Sequence, residues 1–104
     1  MSMHDDFIRS IHEMKFLLIT ADTYEKGLIH RICVPFDYGP SRRAKDGQNR
    51  YHFWDLNSPD GPHNLSILPS QLQALEILED VFDPTDYVHW QTNWHVPRDW
   101  GRCS

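Results

Sequence analysis

The sequence predicts a mainly β fold, in which a helix precedes a small β-barrel and an aromatic-rich, irregular segment follows it. Three observations lead to this prediction. Residues 28–56 hold two apolar runs around a polar, glycine-containing connection, which is typical of a β-hairpin. The second run, residues 50–56, is rich in aromatic side chains, which favour strands. Residues 2–14 instead place apolar side chains at helical spacing.

The length of 104 residues predicts a single domain, residues 1–104. We divide it into an N-terminal helix (1–14), a barrel (15–84) and a C-terminal extension (85–104). A domain of this size buries roughly 60–65% of the surface that its unfolded chain exposes, so it has one modest core. Hydrophobic residues make up 39% of the chain, which argues against global disorder.

Charge and apolar patterning limit the classes of protein. The net charge of −5 argues against a general nucleic-acid coat protein, because phosphate binding needs clustered cations, although a local basic patch stays possible. No apolar run approaches the ~20 residues of a membrane span. Asp5 and Asp6 precede every apolar stretch, which is unlike a signal peptide. We therefore expect a cytoplasmic protein with no membrane partner, in which Cys33 and Cys103 are free thiols.

The N-terminal helix has a capping signal and an apolar stripe. Ser2 and Asp5 fit a capping box, and the acidic side chains suit the positive end of the helix dipole. Phe7, Ile11 and Met14 recur at helical spacing on one face.

Four strands follow from the next apolar runs, which are residues 16–20, 28–38, 50–56 and 65–68. In the second run, Ile29, Arg31 and Cys33 fall on one face because side chains alternate along a strand. Pro35 lacks a backbone N–H, so it indicates an edge, a bulge or a bend.

Residues 70–82 give conflicting signals. Ala74, Leu75 and Leu78 belong to a helical stripe, and Ser70 with Gln73 fits a capping box. Leu75 and Ile77 flank Glu76 with strand-like spacing. Periodicity alone favours a helix. Residues 87–104 show no sustained period, yet they are too aromatic for a disordered tail, so we expect them to lie against the barrel or a neighbouring subunit.

The order of elements resembles a small Sm/SH3-like barrel, and several motifs resemble WYL-type domains. These motifs are the run His30–Pro35, then Tyr51–Leu56 after a variable polar loop, and Asp83-Pro84 after a leucine-rich stretch. Tyr51-His52-Phe53 stands near the place of the Trp-Tyr-Leu triplet. The likeness covers residues 15–84. It implies a five-stranded, strongly bent sheet closed into a barrel, with a helical turn at residues 69–72 and a strand through residue 82.

The resemblance also carries functional expectations. WYL-type domains are regulatory ligand-binding modules, often linked to nucleotide or nucleic-acid sensing, and their Sm relatives bind RNA as rings. Such a function implies no enzymatic activity.

A basic and aromatic set of side chains is the main candidate site. Arginine forks bind phosphate, and aromatic rings stack on bases. The hairpin presents both types, and the candidate ligand-binding residues are Arg31, Arg42, Arg43, Arg50, Tyr51 and Trp54. The alternative is that the loop arginines are solvated and that Tyr51 and Trp54 belong to the core.

Arg31 has its own alternative because it lies inside an apolar strand. A charge there must be paired or reach the surface. A structural partner such as Asp37 or Asp55 is slightly favoured over a ligand.

Metal and catalytic signals are weak. The seven histidines show none of the close His or Cys spacings of a zinc site, although His30 and His52 could face each other across the hairpin, with His89 and His95 nearby. There is no glycine-rich phosphate loop and no nucleophile motif. We predict no cofactor and no enzymatic activity.

Three functions remain from the sequence. The first is a non-enzymatic binding module for a nucleotide or single-stranded nucleic acid. The second is a protein-interaction or homo-oligomerisation module, because small barrels have edge strands that need cover. The third is a metal-dependent hydrolase built on the histidines.

Overall fold

The computed structural model describes residues 2–104 and contains one α-helix and a five-stranded antiparallel sheet. The helix α1 spans Met3–Glu13, and the strands are β1 (Lys15–Thr23), β2 (Gly27–Pro40), β3 (Asn49–Asp55), β4 (His63–Ile67) and β5 (Leu72–Val81). Their order in the sheet is β4-β3-β2-β1-β5. The predictions of a mainly β fold and of an N-terminal helix are confirmed. Met1, which the predicted range 1–14 includes, lies outside the described residues.

The helix α1 begins at the predicted cap. The Ser2 hydroxyl accepts a hydrogen bond from the Asp5 backbone N–H at 3.1 Å, which satisfies one of the free donors at the helix start. Phe7 and Ile11 are fully buried. The helix ends at Met14, which has a positive φ of 54°, and the chain then turns directly into β1. The apolar stripe of α1 therefore covers the inner face of the sheet.

The strand β2 is long and changes partner along its length. Residues 27–33 pair with β1, and residues 33–40 pair with β3. A β-bulge between Pro35 and Asp37 separates two stretches of the β3 ladder, as the missing N–H of Pro35 predicts. The five residues from Cys33 to Asp37 are all buried. This middle stretch of β2 therefore lies at the centre of the molecule.

The chain from Leu72 to Val81 is a strand, so the helix favoured by periodicity alone is wrong here. Leu75 pairs with Ile19, and Ile77 pairs with Leu17. Tertiary pairing with β1 therefore prevails over the helical apolar stripe. A hydrogen-bonded turn precedes the strand, in which the Gln71 N–H donates to the Leu68 carbonyl at 2.9 Å.

The sheet is open, whereas the sequence predicted a closed barrel. The strands β4 and β5 are its two edges, and no ladder joins them within residues 2–104. After the turn at residues 68–71 the chain crosses to the far edge and pairs with β1. The helix α1 packs against β5, β2 and β1 and covers apolar surface between the edges. No helix in the described part of the chain is long and apolar enough to cross a membrane.

The C-terminal segment, residues 82–104, packs on its own sheet and helix. It is irregular apart from two 3-10 turns, Pro84–Asp86 and Gly101–Cys103. Val88, Trp100 and Cys103 are buried. The Trp100 indole N–H donates to the Ile11 carbonyl at the end of α1 at 2.8 Å. The sequence left open whether this segment lies on its own chain or on a partner, and the structure shows contact with its own chain.

Candidate functional site

A buried carboxylate on β2 holds the C-terminal segment in place. Asp37 accepts hydrogen bonds from the backbone N–H groups of His95 (2.9 Å) and Val96 (3.0 Å). The Arg98 guanidinium also donates to Asp37, at 3.3 Å. We call the Asp37–Arg98 pair, with these backbone contacts, the clasp. It fixes residues 94–98 against the bulged part of β2.

Arg98 is enclosed by aromatic rings. Its guanidinium carbon lies 4.0 Å from the ring centroid of Trp94 and 4.4 Å from that of Trp100. It also donates to the Phe36 carbonyl. Burial lowers the pKa of Arg98 to about 10, and the Asp37 charge opposes that shift. Arg98 therefore stays protonated at neutral pH, and cation–π contacts with both indoles add to its ion pair.

The segment held by the clasp forms part of a cleft of about 590 Å³. The loop between β2 and β3 supplies basic residues to this cleft, and the C-terminal segment supplies aromatic ones. We call it the arginine–tryptophan cleft, after Arg42, Arg43, Arg50, Trp90 and Trp94. Further polar lining comes from His52, Asn64, Ser66 and His95.

Two of the three cleft arginines are free to bind an anion. Arg42 and Arg43 are exposed, and they form no ion pair within residues 2–104. Arg50 instead donates two hydrogen bonds to the Asp46 carboxylate, at 3.0 and 2.9 Å. These bonds lower the pKa of Asp46 to about 2, so the carboxylate beside Arg50 stays ionised at physiological pH.

Trp90 is the exposed aromatic of the cleft. Its residue surface is 51% exposed. The rings of Phe36 and Trp94 support it, with centroids 5.6 and 6.0 Å away in edge-on arrangements. A planar ring that enters the cleft can therefore contact a held indole.

Tyr51 and Trp54, which the sequence placed in the site, do not line the arginine–tryptophan cleft. Tyr51 is only 5% exposed, and its hydroxyl lies 3.0 Å from His4 Nδ1. Its ring packs edge-on against Phe7 at 4.9 Å, and burial raises its pKa. Trp54 is half-buried and packs near Phe36. The structure therefore places these two rings outside the cleft that Arg42 and Arg43 line, and their stacking on a base stays a prediction.

Arg31 also lies apart from Arg42 and Arg43. Its Nε lies 3.2 Å from Asp55 Oδ2, and the Asp55 side chain is only 1% exposed. The sequence offered Asp55 as a structural partner, and this pairing is confirmed. Arg31 lines a second cleft, of about 410 Å³, between the β1–β2 turn and β4.

The aromatic half of the site was missed by sequence reasoning. Trp90, Trp94 and His95 reach the cleft because Asp37 binds backbone groups 58 and 59 positions further along the chain. The one available signal was the density of tryptophan after residue 87. This density indicated that the segment packs against other parts of the protein, but it did not indicate which surface the segment contacts.

The histidines are engaged separately. His30 Nδ1 lies 2.9 Å from the Thr20 hydroxyl. His52 contacts the Ser66 hydroxyl (2.8 Å) and the Gly39 carbonyl (2.9 Å). Within residues 2–104 no group of three His, Cys, Asp or Glu side chains is placed to hold a metal ion.

No protein-family model, no curated protein and no solved structure matches this chain. Its function is therefore inferred from the chemistry of its clefts. The arginine–tryptophan cleft combines two free guanidinium groups, an exposed indole, several hydrogen-bonding side chains and the Asp37 carboxylate, which Arg98 pairs. Such a set suits a ligand with an anionic part and a planar ring.

Proposed function

We propose that this chain is a non-enzymatic binding module whose ligand is a nucleotide or single-stranded nucleic acid, held in the arginine–tryptophan cleft. One observation carries the proposal: the unpaired Arg42 and Arg43 and the exposed Trp90 line the same cleft. Guanidinium groups bind phosphate through charge-assisted, often bidentate hydrogen bonds. Stacking of a base on an aromatic side chain is worth about 1–3 kcal/mol.

The size and charge of the cleft agree with this ligand. Its volume of about 590 Å³ falls within the range of about 300–1,000 Å³ for small-molecule sites. The whole chain has a net charge of −5, so attraction of phosphate depends on local cations, here Arg42 and Arg43. We expect binding to weaken as salt rises, because each neutralised phosphate releases counterions.

The same proposal extends to the class of fold. A helix that precedes five antiparallel strands in the order β4-β3-β2-β1-β5, with a long bulged β2, supports an Sm/SH3-like architecture related to WYL-type domains. Backbone amide exchange tests it. Slow exchange of the outward-facing amides of β4 would indicate that the barrel is closed in solution. Fast exchange of these amides would indicate that the sheet is open.

Fluorescence anisotropy of labelled single-stranded oligonucleotides tests the binding function. The measurement compares low and physiological salt for the native chain and an Arg42→Ala/Arg43→Ala variant. We expect the variant to bind at least about tenfold more weakly and to lose about 1.4 from the slope of log K against log salt, for two phosphates. Trp90→Ala should weaken binding by about 5- to 150-fold.

The matched control is Arg9→Ala/Arg102→Ala, which removes the same charge from residues that do not line the cleft. An equal loss of affinity in this control would show that the effect arises from net charge alone. No binding at tens of micromolar oligonucleotide or nucleotide in low salt would refute the proposed ligand.

A second candidate function is homo-oligomerisation, which an exposed apolar pair favours. Leu18 on β1 and Ile32 on β2 are direct register partners, and each is 38% exposed. If this pair lies in an interface between copies, Leu18→Glu should convert an oligomer to a monomer in light scattering coupled to gel filtration. A native chain that is monomeric at millimolar concentration would exclude this function.

A further inference from the structure

The second cleft combines an apolar wall with a cation. It occupies about 410 Å³ between the β1–β2 turn and β4. Ile29, Leu65 and Ile67 supply its apolar lining, and Arg31 supplies a guanidinium. Pockets of this kind, apolar with a few convergent polar groups, are where small ligands bind.

Arg31 has unused hydrogen-bond donors. A guanidinium carries five N–H donors. Arg31 donates one hydrogen bond, from Nη1 to the His30 carbonyl at 2.9 Å. Its Nε lies 3.2 Å from Asp55 Oδ2 but is not aligned for a hydrogen bond. No other protein acceptor within residues 2–104 contacts this group, and its side chain is 14% exposed.

The other cations of the second cleft are already engaged. Lys26 pairs with Asp60 at 3.0 Å, and Arg50 is held by Asp46. The carboxylates that line the cleft are Glu25, which is exposed in the turn, and Asp55, which is buried behind Arg31. Arg31 is therefore the cation with capacity for an additional anion.

An anion at Arg31 would also offset an electrostatic cost. Burial of a paired charge removes both ions from water, and this cost is recovered only when the remaining donors are satisfied. Asp55 accepts one hydrogen bond, from the Asn57 N–H at 3.2 Å, whereas the unsatisfied donors belong to Arg31. A ligand carboxylate provides two acceptors in the geometry that a guanidinium fork prefers.

We propose that the second cleft binds a small monocarboxylate with an aliphatic body, with the carboxylate on Arg31 and the aliphatic chain on Ile29, Leu65 and Ile67. This site is separate in function from the arginine–tryptophan cleft, and neither proposal depends on the other. The size of the aliphatic body is limited by the cleft volume.

Amide chemical-shift titration tests this site with hexanoate as the probe and 1-hexanol as its neutral counterpart. We expect hexanoate to shift the resonances of Ile29, Ile67 and Arg31 saturably, and to bind at least about tenfold more tightly than hexanol. Butyrate should bind about fourfold more weakly for each methylene that it lacks.

Two variants separate binding from folding. Arg31→Gln leaves Asp55 without its partner and is expected to destabilise the chain. The double variant Arg31→Gln/Asp55→Asn removes both charges, so neither is left unpaired, and its preference for hexanoate over hexanol should disappear. Arg102→Gln, which loses one charge at an exposed residue that lines neither cleft, should retain the preference.

Three results would overturn the proposal. The first is equal binding of hexanoate and hexanol to the native chain. The second is a preference for hexanoate that survives in the folded double variant. The third is a titration up to 50 mM, roughly, that shifts no resonance of the second cleft or shifts only those of the arginine–tryptophan cleft.

Discussion

Arg31 and Asp55 form a half-buried ion pair across neighbouring strands, β2 and β3. A charge inside an apolar strand requires such a partner, and the register that pairs Cys33 with Asp55 brings the two side chains together. Cys33 lies in the core beside this pair, as the register partner of Asp55. At the scale of single residues, burial decides which groups can react.

Cys33 should be unreactive in the native protein. Burial, with a smaller contribution from the Asp55 charge, raises the pKa of its thiol far above the usual range, and the thiolate is the nucleophile. Treatment of the Cys103→Ser variant with iodoacetamide at pH 8, followed by mass spectrometry, should show modification only after denaturation. Complete labelling of the folded variant within minutes would contradict this expectation.

The Asp46–Arg50 pair should persist to unusually low pH. Hydrogen bonds from Arg50 lower the pKa of Asp46 from an ordinary value of 3.8 to about 2. Because the folded pKa is depressed, the contribution of the pair to stability is complete above about pH 4 and is lost as the pH falls through about 2. Carboxyl NMR titration should give a midpoint near 2, rising toward 3.8 in Arg50→Gln. A native midpoint near 3.8 would mean that the pair is absent in solution.

The C-terminal segment is the element on which the arginine–tryptophan cleft depends. The clasp joins it to β2, and Gly39 allows the close approach, because a Cβ at this position would lie 2.5 Å from His95 Cδ2. Trp90 and Trp94 are therefore positioned by contacts outside the cleft. The aromatic side of the cleft is a product of this one element.

Loss of one member of the clasp should be costly. Asp37→Asn leaves the fully buried Arg98 without its counterion, and removal of one partner of a buried pair costs about 3–5 kcal/mol. Urea denaturation measures the change in unfolding free energy. The control is Asp60→Asn, which breaks the exposed pair with Lys26 and should cost far less, because water screens exposed ion pairs. Equal costs for the two variants would mean that Asp37 does not hold the segment.

The whole molecule has one core, to which the helix, the sheet and the C-terminal segment all contribute. Buried side chains from each belong to the same cluster, including Phe7, Phe53 and Trp100. The radius of gyration is 12.9 Å. A chain of 104 residues has little surplus stability, so each of the three parts is needed.

Truncation after Pro84 should unfold the protein. It removes Val88, Trp100 and Cys103 from the core and leaves the Ile11 carbonyl without its indole donor. Burial of a large apolar side chain is worth about 1.5–3 kcal/mol, against a total stability of about 5–15 kcal/mol. Circular dichroism should show no cooperative thermal transition for the truncated chain. A cooperative transition with native-like spectra would show instead that the sheet and α1 form an independent unit.

Local chemistry in the sequence determined much of the fold. The Ser2 cap, the apolar stripe of α1, the alternation of Ile29 and Cys33, and the bulge at Pro35 are each specified within a few residues of chain. The same is true of the basic loop that carries Arg42 and Arg43, because a polar connection between two strands must lie at the surface.

Only the tertiary structure decided the rest. Residues 72–81 carry both helical and strand spacing, and pairing with β1 selects the strand. The ring of Tyr51 lies in the core, where its hydroxyl contacts His4. Trp90 is instead exposed, on the segment that the clasp joins to β2 through Asp37 and residues 95–98. The physical reason is sequence separation. Spacing along the chain reports neighbours within an element, but contacts across 47 to 61 positions depend on how the elements pack.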